Sequence, residues 1–208
     1  KAGIYWTFFL AFFVFSSLAA QTKMDGYEAE ALRTKVKSLA QTTETVTSDF
    51  IQYKHLDFLS NDFESKGKLS FKSPDLVKWE YISPFAYSVL FKADMLYINN
   101  EGDKSDVDIG SNKLFKQLNK LISASVTGDM FNTEEFNISY FIKGNKSEVR
   151  FSSKDKKLAK YIKEFHIVFN AKAEVSEVKM IEPSDDYTHI VFSNRTVNQA
   201  LPDAVFTH

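Results

Sequence analysis

Gly67-Lys68-Leu69-Ser70-Phe71-Lys72-Ser73-Pro74-Asp75-Leu76-Val77-Lys78-Trp79-Glu80-Tyr81-Ile82-Ser83-Pro84 is the stretch that decides the fold. Side chains of an extended chain alternate between two faces. Gly67, Leu69 and Phe71 therefore share one face, and Lys68, Ser70 and Lys72 the other. Ser73-Pro74-Asp75 interrupts the run, and Val77, Trp79 and Tyr81 then alternate with Lys78 and Glu80. Two period-two runs joined by so short a turn signal pair as antiparallel strands.

The same period extends outward in both directions. Upstream, Phe50 and Gln52 alternate with Ile51 and Tyr53. Downstream, Phe85, Tyr87, Val89 and Phe91 lie on one face, and Met95 to Ile98 follows after Lys92-Ala93-Asp94. Phe136 to Ile142, Glu148 to Ser152, Tyr161 to Phe169, Val175 to Ile181 and Tyr187 to Asn194 complete about ten to eleven strands. Helical spacing appears twice. Tyr27 to Val46 carries Ala29, Leu32, Val36, Leu39 and Ala40, with Asp25 as N-cap. Leu114 to Val126 carries a second apolar stripe. Glu101 to Asn112 reads as an acidic loop, and Lys154 to Lys160 as a charged connection with room for one helical turn. The class is α+β. Several strands are apolar on both faces, as where Ile51 and Tyr53 oppose Phe50. A sheet of that kind must be covered twice. The expected arrangement is a strongly bent sheet with one helix outside and one across its mouth.

Residues 1–20 read as a secretory signal peptide. Lys1 precedes an apolar run from Ile4 to Phe15, and Ser17, Ala19 and Ala20 supply the small residues for a cut. Residues 21–208 then form one domain, exported to the periplasm as a monomer. There is no cysteine, so neither disulfides nor thiol chemistry arise. A formal net charge of −1 gives no basic field for nucleic acid. Twenty Phe and nine Tyr call for either a large core or an apolar cavity.

Reaction chemistry is not indicated. The four histidines, His55, His166, His189 and His208, do not pair at zinc spacing. His166, within an apolar strand, reads as a partnered core residue. Asp103, Asp106 and Asp108 miss the offsets of a calcium loop. Phosphate-loop, nucleophile-elbow and dinucleotide motifs are missing. The chain reads as a non-enzyme without a cofactor.

The order of these motifs resembles the bacterial outer-membrane lipoprotein carrier family, LolA-like, as a divergent branch. The resemblance rests on Ser48 to Lys54, on the Gly67–Pro84 stretch with its Trp79 and two prolines, and on Lys92 to Tyr97. Thr188 to Asn194, Asn198 and Pro202 to Phe206 extend it to the tail. Family members often carry Arg before the first proline and an aromatic residue two places before the Trp; here these are Ser73 and Val77. The resemblance implies a half-closed antiparallel β-barrel with a helical lid, and a periplasmic chaperone that ferries lipoprotein acyl chains. An inner-membrane ABC transporter and an outer-membrane acceptor would be its partners. A carrier of another lipid (a glycolipid or an acylated pigment) and a lipoprotein-sensing regulatory module that binds an anti-sigma factor are the alternatives.

An apolar ligand needs concave apolar surface rather than a reactive group. The expected cavity lining is Phe50, Phe71, Val77, Trp79, Tyr81, Val89, Phe91 and Leu96, closed by Leu118, Leu121 and Ile122 of the second helix. Burying one 16-carbon chain is worth about 12 kcal/mol gross. Release of cargo requires an offset, which a lid packed on the empty cavity would supply.

Overall fold

The computed structural model describes residues 21–109 and 130–208. The signal segment 1–20 and the lid residues Leu118, Leu121 and Ile122 lie outside the described residues. The chain forms β1 (Thr22–Lys23), α1 (Gly26–Gln41), β2 (Thr45–His55), β3 (Phe63–Lys72), β4 (Leu76–Ser83), β5 (Tyr87–Lys92), β6 (Met95–Asn100) and β7 (Asp103–Asp108). It continues with β8 (Phe136–Lys143), β9 (Lys146–Ser153), β10 (Glu164–Phe169), β11 (Val175–Ile181) and β12 (Tyr187–Val197). Two 3-10 turns, Leu158–Lys160 and Asp203–Phe206, punctuate the second half.

All twelve strands join one antiparallel sheet in the order β1-β8-β9-β10-β11-β12-β2-β3-β4-β5-β6-β7. The sheet does not close, because β1 and β7 end it without pairing to each other. This is the half-closed barrel expected from the sequence. The β2–β12 pair joins chain segments about 140 residues apart, with Phe50 opposite Phe192 and Gln52 opposite Ile190.

α1 starts where expected. The Asp25 carboxylate accepts from the Glu28 N–H at 2.8 Å, and Glu28 Oε2 accepts from the Asp25 N–H at 3.0 Å. This reciprocal capping box satisfies two N-terminal donors. The helix ends at Gln41, short of Val46. The β-branched residues Thr43, Thr45 and Val46 leave the helix because Val46 pairs with Phe71 and Val197 in the sheet. Asn198 fixes this junction. It sits at φ 57°, accepts from the Glu44 N–H at 2.8 Å and donates to the Thr42 carbonyl at 2.7 Å. Asn tolerates the left-handed region better than other non-glycine residues.

Three further expectations are corrected. The acidic segment Glu101–Asn112 is not all loop: Asp103–Asp108 is a strand that pairs with β6 throughout its length. Its composition hid it, since Asp and Lys are poor strand formers. An exposed, charged edge also resists pairing with other chains. The expected strand Tyr161–Phe169 begins only at Glu164, after the 3-10 turn that the Lys154–Lys160 connection contains. Finally, α1 does not cover the outside. Its Leu32 and Val36 pack in one cluster with Val149, Phe151, Ile167 and Phe169, on the face that also carries Phe50 and Trp79. The opposite, convex face is covered in part by the tail. The Asp203–Phe206 turn contacts β4, Phe206 is buried, and Lys72 Nζ meets Asp203 Oδ1 at 2.6 Å.

Elsewhere the convex face carries ion pairs. Glu148, 5% exposed, accepts from Arg150 Nε at 2.7 Å and lies 3.8 Å from His166 Nδ1. Burial alone would raise this carboxyl, but the Arg150 and Gln21 hydrogen bonds and the charges of Arg150 and His166 hold it below the usual carboxylate range. His166 also meets Glu164 Oε2 at 2.7 Å, so it has the partners expected, on the convex face rather than in the core.

Candidate ligand-binding face

The pairing register places the candidate residues in rows that cross the strands. The first row runs Val46, Phe71, Val77, Phe91, Leu96 and Val107 from β2 to β7, and every member is apolar. The second runs Ser48, Leu69, Trp79, Val89, Ile98 and Ser105. The third runs Phe192, Phe50, Gly67, Tyr81, Tyr87, Asn100 and Asp103 from β12 to β7. Directly paired residues share a face. All eight candidate lining residues therefore stand on the one interior face.

Their surroundings divide them. Phe50, Phe71 and Val77 are each 1% exposed and Leu96 is buried. These residues are sealed and act as the floor. Trp79, Tyr81, Val89 and Phe91 are half-buried and form the accessible wall. Phe50, Phe71, Val77, Trp79, Tyr81 and Phe91 belong to one cluster with Val46, Leu69, Ile190 and Phe192. Val46 escaped sequence reasoning because it follows a helical pattern without a break. Ile190 and Phe192 escaped because nothing local announces that β12 pairs with β2.

Gly67 is the pivot of this wall. The Phe50 ring lies over it, and a Cβ there would stand 2.5 Å from Phe50 Cζ and 2.2 Å from the Glu80 carbonyl oxygen. With no side chain at 67, Phe50 meets Trp79 edge-on at 5.0 Å and Tyr81 at 5.1 Å between ring centroids. Tyr81 in turn stacks on Tyr87 at 4.3 Å. The Tyr81 O–H donates to Gln52 Oε1 at 2.9 Å. Burial, then the neighbouring Tyr87, pushes the Tyr81 phenol above its ordinary range, so it stays protonated and a donor.

Two surface grooves, of about 750 and 460 Å³, flank α1. Tyr27, Ala31, Lys35 and Leu39 line the larger, and neither is lined by the eight candidates. Among the described residues, no group of three or more His, Asp or Glu side chains is placed to hold a metal ion. No described helix is long and apolar enough to cross a membrane.

The structure is a half-open antiparallel barrel whose interior face carries a row of apolar and aromatic side chains. Residues 41–208 match the family described as outer membrane lipoprotein carrier protein LolA, and the chain belongs to that family. No curated protein matches the sequence. Among solved structures, it is similar to a LolA superfamily protein from Nitrosomonas europaea, with 9% identity over 86% of this chain and 97% of the other, at a TM-score of 0.45. It is also similar to a putative outer membrane lipoprotein-sorting protein domain from Vibrio parahaemolyticus, with 7% identity over 86% and 94% and a TM-score of 0.46. The lipoprotein LppX from Mycobacterium tuberculosis shares 8% identity over 86% and 99%, at a TM-score of 0.49.

Proposed function

We propose that this protein carries acyl chains, those of lipoproteins in the first instance, on the interior face of its barrel. The observation that carries the proposal is the unbroken apolar row from Val46 to Val107, topped by the half-buried Trp79, Val89 and Ile98. Aromatic and branched side chains give an acyl chain a dry, rigid surface at little entropic cost. Membership of the carrier family supports the reading. So does the leader-like segment 1–20, which would place residues 21–208 in the periplasm as one domain.

In this reading the cargo is received from an inner-membrane ABC transporter and passed to an outer-membrane acceptor. A 16-carbon chain gains about 12 kcal/mol gross on burial, so handover requires that part of the gain be offset.

Native mass spectrometry of the protein purified from its periplasm tests the cargo. A bound triacylated lipoprotein is expected. A free lipid in its place moves the reading to a different cargo, and an empty protein in every preparation overturns it.

A further inference from the structure

The interior face is not uniformly apolar. It grades along the strands, from the row of Val46 and Leu96 to an end that carries Gln52, Tyr81, Tyr87, Asn100 and Asp103. Tyr81 occupies the oxygen of Gln52, which leaves the amide N–H₂ of Gln52 as a donor. The stacked Tyr87 lies opposite Asn100, and Asn100 opposite the exposed Asp103. Among the described residues, the cation on this face at that end is Lys54, which is held by Glu182. Loops at the same end add Asp57, Asp62 and Glu101. The lysines of the β9–β10 connection stand on the other half of the sheet, and Lys163 among them is paired with Asp185 at 2.5 Å.

Resting on the carrier reading, we infer that Gln52, Tyr81, Tyr87 and Asn100 form a site for the head of the cargo. The site takes a neutral head of amide, ester or hydroxyl groups and rejects a phosphate. Amide and phenol donors satisfy a carbonyl or hydroxyl without needing its charge. A phosphate brought there meets Asp103, and among the described residues this end of the face offers it no cation outside the Lys54–Glu182 pair to offset its desolvation. The chemistry has a use. A carrier working between two membranes meets phospholipid everywhere, and chain burial alone does not discriminate between lipids with equal chains. An acylated glycerol linked to a cysteine carries esters and amides but no phosphate, and so matches the site.

The test is binding of three amphiphiles of equal chain length, read by the fluorescence of Trp79, which is the one tryptophan of residues 21–208. They are 1-monopalmitoylglycerol, hexadecyl maltoside and palmitoyl lysophosphatidylglycerol. The glycerol ester is expected to bind at least about tenfold tighter than the phosphate lipid, or about 1.4 kcal/mol. Asn100→Lys, at an exposed position, should raise affinity for the phosphate lipid alone, and Asp103→Asn should do so to a smaller extent. A maltoside that binds tighter than the ester keeps the neutral head and assigns it to a sugar. Equal binding of all three, unmoved by either variant, overturns the head site while leaving chain carriage intact. Binding of none of them overturns the carrier reading itself.

Discussion

Replacing Gly67 by Ala tests whether the aromatic wall is packed as described. The new methyl would stand 2.2 Å from the Glu80 carbonyl oxygen and 2.5 Å from Phe50 Cζ. No heavy atom approaches that closely without displacement. The carbonyl belongs to a paired strand and cannot rotate away, so β4 must shift or the Phe50 ring must leave its place between Trp79 and Tyr81. Overpacking of a filled site costs about 1–3 kcal/mol, and the backbone contact puts Gly67→Ala near the top of that range. Phe50→Leu, which empties part of a site that is 1% exposed, should cost about 1–2 kcal/mol alone. The double variant should lose at least about 0.5 kcal/mol less than the sum, because the smaller side chain removes half of the obstruction. Urea denaturation followed by Trp79 fluorescence measures all three. A Gly67→Ala protein within about 0.5 kcal/mol of the parent would refute the packing argument.

Three further predictions concern stability. Asp25→Ala removes the capping box of α1 and should cost about 1 kcal/mol by the same denaturation, with Asp25→Asn losing less. Asn198→Ala loses the side-chain hydrogen bonds to Thr42, Glu44 and Thr45 and places alanine at φ 57°, so a cost of about 2 kcal/mol is expected; a neutral result would mean that the helix–strand junction is held elsewhere. Glu148 has its folded-state carboxyl held below its ordinary value, so its contribution is present above about pH 4.3 and is lost as pH falls through the folded value. Glu148→Gln should therefore lower stability at pH 7 by about 1–3 kcal/mol and flatten the loss between about pH 5 and 3, which thermal melts across that range would show.

The part of the fold that alternation controls was legible. Val175–Ile181 was read to the residue, and the Gly67–Pro84 stretch gave β3, its turn and β4, because Lys on one face and Phe, Leu and Trp on the other leave one register. The eight candidate residues came to one face for the same reason. What local pattern could not give was pairing across distance. The contact of Phe192 with the Phe50 wall depends on β12 meeting β2, which no neighbouring residue encodes. Composition misled at β7, where pairing with β6 overrides the poor propensity of Asp and Lys. It misled again at α1. An amphipathic helix and a two-faced sheet suggested an outer cover, whereas Leu32 and Val36 turn inward and the tail with Phe206 helps to cover the convex side. Asn198 was noted as part of the family's ending, and only the structure shows its work, a left-handed turn bonded to both sides of the helix–strand junction.

The central claim is that acyl chains lie against Trp79. Trp79 is the one tryptophan of residues 21–208 and reports alone. Titration with palmitate analogues brominated along the chain measures the contact directly, since bromine quenches indole only at close range. The account predicts saturable quenching by the chain-brominated lipid and none by bromide ion at equal concentration. A folded protein whose Trp79 emission is untouched by the brominated chain would contradict it.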